Sequence, residues 1–278
     1  MPKPKISQHH RGGRTLKTKD RLQKYGLTEA QLQRILVNQK KPKIRKIDRL
    51  YREHEEVKIG IVSDTHLGSK YEALEALHHF YQYAEHEKVK CILHAGDIID
   101  GGKMYRGQEF ELHTHGADAQ INYVLNNYPK NLDTYFITGN HCLSHYKEAG
   151  VDVGGPLNGG KLHYLGQLQA DIDVSGVVVR LLHPDSGGSY ALSYKSQKIA
   201  EQIPSGTKPM VLALGHWHTS CYFFYRQMHV INCGAFQTQT PYLMRKGINP
   251  TIGGWIVTIR HKEGKNIGID LSFILFPK

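Results

Sequence analysis

Cysteine is scarce in this sequence. Cys91, Cys142, Cys221 and Cys233 are the only four in 278 residues, and no two form a Cys-x-x-Cys pair. A disulfide framework is excluded as the organising device, and a reducing, cytoplasmic setting is expected. Long apolar runs are also missing. None approaches the ~20 residues that cross a bilayer, so no membrane partner is expected. The basic start, residues 1–14, leads into no apolar segment of the kind a secretory signal carries. There is no internal repeat and no long low-complexity tract. With 40% hydrophobic residues the chain can still build a packed core, so wholesale disorder is excluded.

What is present in excess is positive charge and histidine. Lys and Arg number 36 against 25 Asp and Glu, a formal net of +11, and there are 18 His. The charge is concentrated. Residues 1–56 carry 16 Lys and Arg against 6 Asp and Glu, whereas residues 57–278 carry 20 against 19. The expected organisation is therefore a basic N-terminal module and linker over 1–56 and a near-neutral globular domain over 57–278. Within the module, helix formers from Leu16 to Tyr25 end at Gly26. Thr28-Glu29-Ala30-Gln31 then has the form of a capping box ahead of Leu32, Ile35 and Leu36. Two short helices follow from this, either a helical hairpin on the body or a helix-turn-helix-like pair. Lys40, Lys41, Lys43, Arg45 and Lys46 form a strip interrupted by Pro42. It suits a solvated linker or contacts to nucleic-acid phosphates.

The body alternates apolar strands with helical patterns. Strands are expected at 57–63, 91–95, 134–138, 177–182 and 210–214, with helices at 72–85, 119–127 and 192–201. Further strand-rich segments lie at 222–231, 255–259 and 267–275. This order predicts a layered α/β fold. The chemistry-bearing residues stand at the strand ends, in the order Asp64-Thr65-His66, Gly96-Asp97-Ile98-Ile99-Asp100, Gly139-Asn140-His141, His183 and Gly215-His216-Trp217-His218. Each fragment alone is an ordinary turn. Five in succession, each closing an apolar strand, point to a site beyond the carboxyl ends of the strands. Hard oxygens and imidazoles without thiolates suit a pair of divalent ions such as Mn, Fe, Zn or Co better than Ca. Such a pair could activate a water and clamp a phosphoryl oxygen, with His141 protonating the leaving group.

In these motifs the chain resembles the calcineurin-like metallophosphoesterases over roughly residues 57–240. The resemblance implies a four-layer αββα sandwich, here carrying a small basic helical extension. It implies two divalent metal ions, Mn favoured, with Fe, Zn, Co or Mg as alternatives. It further implies that Asp64, His66, Asp97 and His218 hold one ion and that Asp97, Asn140, His183 and His216 hold the other. Asp97 would bridge the ions, His141 would act as acid, and Asp100 would orient His141. Two departures stand out. Cys142 replaces the acid that usually follows Gly-Asn-His. Gly101-Gly102 replaces the Arg-Gly of the protein phosphatases, which disfavours a phosphoprotein substrate. The basic module favours a polyanion, so a nuclease of the repair-exonuclease type on DNA is the leading expectation. A phosphomonoesterase or small-nucleotide phosphodiesterase is the alternative, and a binding protein with an idle metal site is a third. The remaining candidates carry less: His113 and His115 on a loop, His145, a core His94, the tail residues His9 and His10, the turn Ser186-Gly187-Gly188-Ser189, and Lys103, Tyr105 and Arg106 near substrate.

Overall fold

The computed structural model describes residues 45–46, 56–262 and 265–277. The expected N-terminal helices, His9, His10, Lys40, Lys41 and Lys43 lie outside the described residues. Twelve strands and six α-helices are described: β1 (Arg45–Lys46), β2 (Glu56–Val62), α1 (Leu74–His86), β3 (Ile92–His94), α2 (Ala117–Asn127), β4 (Thr134–Thr138), α3 (Cys142–Ala149), α4 (Gly154–Leu157), β5 (Leu162–Gln167), β6 (Gln169–Val174), β7 (Val177–Leu182), α5 (Tyr194–Gln202), β8 (Val211–Leu214), β9 (Cys221–Tyr225), β10 (Met228–Asn232), α6 (Pro241–Arg245), β11 (Gly253–Lys262) and β12 (Lys265–Leu275). None of the described helices is long and apolar enough to cross a membrane.

The strands form two six-stranded sheets, ordered β1-β6-β7-β8-β10-β9 and β12-β11-β2-β3-β4-β5. Alternation along each strand decides the layers. In β2, Val57, Ile59 and Ile61 face Val177, Val179 and Leu181 of β7 and Val211 and Ala213 of β8 in the core between the sheets. The other face of the second sheet is covered by α1, through Leu77, Phe80, Tyr81 and Ala84, and by Ile121 and Val124 of α2. On the first sheet, Ala200 of α5 packs with Leu212, Leu214, Met228 and Val230. Helix, sheet, sheet and helix thus make the αββα sandwich that the resemblance implied.

Three features have local causes. The strand-rich segment 222–231 divides into a hairpin of β9 and β10. Arg226 and Gln227 take φ 50° and 63°, and Met228 pairs with Tyr225, as in a two-residue turn matched to strand twist. Strands β5 and β6 are additional. In β6, Ala170, Ile172 and Val174 point inward between Asp171 and Asp173, and Asp171 takes both ends of Arg180 in β7 at 2.6 Å. Arg45 and Lys46, expected in the linker, form β1 parallel to β6.

The polar core residue His94 ends β3. Its Nδ1 accepts from the Gly96 amide at 3.2 Å, and its Nε2 lies 3.1 Å from the Thr65 hydroxyl, which donates to the Ile98 carbonyl. A satisfied core histidine is what the structure contains. Burial pushes this ring down to about 3. The folded chain therefore keeps His94 neutral where the unfolded chain takes up a proton below about pH 6.5. Its contribution to stability is fully present above that value and is lost as pH falls toward 3. Urea unfolding of His94→Gln between pH 6.5 and 4 should show a shallower pH slope than the parent, by up to about 1.4 kcal/mol per pH unit. Equal slopes would refute the assignment.

Candidate metal centre

Strands β2, β3 and β4 of one sheet and β7 and β8 of the other run out at the same edge. The loops beyond them are fastened by backbone hydrogen bonds. Asp64 and His66 amides donate to the carbonyls of Gly96 and Asp97, at 2.9 and 3.0 Å, and the His183 amide donates to Leu168 at 2.8 Å. The chain must turn sharply to aim its side chains inward here. Asp64, His66, Asp97, His216 and His218 all have positive φ, between 46° and 84°. Asp, Asn and His are the non-glycine types that tolerate this region best, and such strain gathers at functional sites.

The seven candidate ligands come together. Ligand atoms of Asp64, His66 and His218 lie within 4.8 Å of one another, and so do those of Asp97, His183 and His216. A third such group joins His66, Asp97 and His141, so Asp97 adjoins both ends of the site. Asn140 Oδ1 stands 2.9 Å from His183 Nε2 and 2.9 Å from His216 Nδ1. All but His216 are buried.

Proton positions test whether these residues fit a cation. His183 donates from Nδ1 to the Ala95 carbonyl at 2.8 Å, so its Nε2 turns a lone pair toward Asp97 Oδ2 at 3.0 Å and Asn140 Oδ1. His66 Nδ1 donates to Asp100 Oδ1 at 2.7 Å, leaving its Nε2 3.1 Å from His218 Nε2. The buried Nδ1 of His218 has no hydrogen-bond partner. Converging lone pairs need a cation or extra protons between them, and the site's field is strongly negative. Burial favours neutral rings, yet hydrogen bonds to Asp100 and Asp64 lift His66 to about 10, and Asp97 lifts His183 to about 9. Burial would raise the Asp64 carboxyl, but His218 and His66 hold it well below the usual range. The same balance keeps Asp97 low through His183 and His141. Burial and then His183 push His216 down to about 4, leaving a neutral imidazole, the form that ligates. The donor set fits divalent cations.

Asp100 meets two rings. Its carboxylate holds His66 at 2.7 Å and stands 3.6 Å from His141. Its backbone carbonyl accepts from His141 Nδ1 at 2.7 Å. The His141 ring meets His66 edge-on at 4.5 Å and lines the cleft. Burial and the neighbouring His66 lower its pKa. Three glutamines escaped sequence reasoning. Gln108 donates to the Asp100 carbonyl and carboxylate, Gln237 to Asp100 Oδ1 at 3.1 Å, and Gln120 grips both backbone groups of Gly101. No fixed spacing announces such residues, since Gln237 lies beyond β10.

Cys142 starts α3 in the apolar layer under α1 and α2. Burial pushes its thiol up to about 12, so a neutral group stands at this position. His113 and His115 sit on an exposed loop, with His113 3.4 Å from Glu72. His145 is buried on α3, outside the ligand groups, and Lys103 pairs with Glu148. Gly187, Gly188, Ser189 and Tyr105 do reach the site: with His141, His216 and His218 they line a cleft of about 750 Å³.

A model of the calcineurin-like phosphoesterase superfamily domain matches residues 57–246. Among curated proteins, the chain is 27% identical over 242 residues to the DNA polymerase II small subunit of Archaeoglobus fulgidus, covering 70% of this chain and 49% of that one. It is 24% identical over 257 residues to the same subunit of Methanothermobacter thermautotrophicus, covering 74% and 53%. The chain thus spans about half the length of the curated relatives it matches. Among solved structures, an archaeal phosphodiesterase is 16% identical with a TM-score of 0.44, covering 78% of this chain and all of that one.

The motif glycines are sterically required. A Cβ on Gly96, Gly139 or Gly215 would overlap the His183 ring, and on Gly139 the Asp97 carboxylate as well. Gly139→Ala should therefore weaken Mn²⁺ binding in calorimetry by roughly 10–100-fold, with far-ultraviolet circular dichroism unchanged. Undiminished affinity would show that the His183 cradle does not set the ligand geometry.

Proposed function

This chain belongs to the calcineurin-like phosphoesterase superfamily, and from that premise we propose that it hydrolyses phosphodiester bonds in nucleic acid, DNA foremost, with two divalent cations, Mn foremost and Fe, Zn, Co or Mg as alternatives. The observation that carries the reading is the place of Asp97, a single carboxylate adjoining ligand groups on both sides. Asp64, His66 and His218 would hold one cation and Asn140, His183 and His216 the other, with Asp97 within reach of both groups. When bound, such a pair supplies Lewis acidity toward a phosphoryl oxygen and a water of lowered pKa. The protein's own part is positional. Asp100 fixes the His66 tautomer so that Nε2 is the ligating atom. His141, which donates from Nδ1 to the Asp100 carbonyl, would give a proton to the leaving oxygen from Nε2 in its doubly protonated form, ending as the neutral ring with Nδ1–H still on that carbonyl. DNA as substrate is supported by the relatives, which are DNA polymerase subunits, and by the charge of residues 1–56.

Hydrolysis of a bis-aryl phosphate, its monoester, and single- and double-stranded DNA should be compared with Mn²⁺ present. Turnover of the diester and of DNA is expected, and Asp97→Ala should abolish both. His141→Ala should cost about 10²–10⁴-fold on DNA and far less on the aryl diester, whose leaving group needs no proton. Turnover of the monoester with DNA untouched would replace this reading with a phosphomonoesterase. Lys40, Lys41 and Lys43 are proposed as phosphate-binding residues. Changing all three to Gln should weaken DNA binding and flatten its logarithmic salt dependence by about 0.9 for each duplex phosphate no longer neutralised. An unchanged slope would remove them from the interface.

A further inference from the structure

The cleft beside the ligands contains a second kind of chemistry. Tyr105, from the loop after β3, and Tyr242, from α6, stack with ring centroids 4.2 Å apart and planes 15° from parallel. Both belong to the cleft wall, together with Lys195 and Lys246. Lys246 Nζ stands 5.7 Å from the centre of the Tyr242 ring. Among the described residues neither lysine has an ion-pair partner, and the acids of the cleft wall are Asp97 and Asp100, already engaged with histidines. The stack is held in place before any ligand arrives. The Tyr105 hydroxyl donates to Glu111 at 2.7 Å, and Thr240 caps α6 by accepting from the Leu243 amide at 3.1 Å, with Pro241 at its first turn. A rigid aromatic platform flanked by unpaired cations, opening on the same cleft as His141, matches a nucleobase with its phosphates.

Resting on the phosphodiesterase reading, we propose that Tyr105, Tyr242, Lys195 and Lys246 form a subsite for an unpaired nucleotide neighbouring the scissile phosphate, so that the substrate is single-stranded. A base extends the tyrosine stack, which requires that its face be free of a duplex neighbour, and the lysines hold flanking phosphates. Sequence discrimination is not expected, because every base has a π-face.

The test uses Mn²⁺-loaded full-length protein and fluorescein-labelled phosphorothioate oligonucleotides that resist hydrolysis. Oligo-dT should bind roughly tenfold or more tightly than an abasic oligomer of equal length and charge. Tyr242→Ala should erase that preference and Tyr242→Trp should preserve it, which separates lost stacking from lost folding. Changing Lys195 and Lys246 to Gln should weaken both oligomers and reduce the logarithmic salt slope by about 0.7 for each phosphate a lysine neutralises. A duplex of the same strand should compete poorly. Equal binding of dT and abasic oligomers by the parent protein, a preference surviving in Tyr242→Ala, or a duplex that competes equally would overturn the proposal. If the parent protein still hydrolyses a bis-aryl phosphate in that case, only the subsite falls. If it does not, the phosphodiesterase reading falls with it.

Discussion

The His183 imidazole is the point on which the site is assembled. Its Nδ1 is bound to the Ala95 carbonyl, its Nε2 faces Asp97 and Asn140, and the backbones at Gly96, Gly139 and Gly215 pass so close that none can carry a Cβ. Those glycines precede Asp97, Asn140 and His216. One ring therefore sets the spacing of three segments that arrive from β3, β4 and β8 on two different sheets. The motifs Gly-Asp, Gly-Asn-His and Gly-His-x-His are separate in the sequence, but they are three walls of one compartment.

From this cradle the electrostatics follow. Removing carboxylates from water is expensive unless they are paired, and here Asp64, Asp97 and Asp100 are all buried. Each is compensated locally: Asp64 by the His216 amide at 2.9 Å, Asp97 by the His141 amide at 2.8 Å, and Asp100 by His66 and two glutamines. The backbone donors are fixed by the same turns that aim the side chains. These carboxylates are thus kept charged and in place by the fold itself.

The sequence carried much of this arrangement, for identifiable reasons. The strands at 134–138 and 177–182 have the bounds read from their apolar runs, because each is bounded by turn residues and packs against the inter-sheet core. A layered α/β fold followed from strand and helix alternation, and the αββα order from the resemblance alone. β6 was not read, because Asp171 and Asp173 dilute its pattern, and their partner Arg180 is visible only once β6 and β7 are paired. α3 was hidden because it begins at Cys142, immediately after a ligand-bearing turn. The partner of the Asp100 carboxylate could not be read at all. His66 and His141 both lie within 4 Å of it, at 2.7 and 3.6 Å, and Gln108 and Gln237, which also donate to it, come from other segments. The Tyr105–Tyr242 stack joins residues 137 positions apart with no spacing to reveal them.

The left-handed backbone at five of the candidate ligand positions has a consequence for redesign. A protein engineer wishing to change the ion preference would ordinarily exchange ligands freely among Asp, Glu, His and Cys. Here the main chain has already restricted the alphabet, because positive φ is tolerated by Asp, Asn, His and Gly and resisted by longer or branched residues. Retuning is more accessible from the surrounding glutamines, whose backbones are unstrained, than from the ligands themselves.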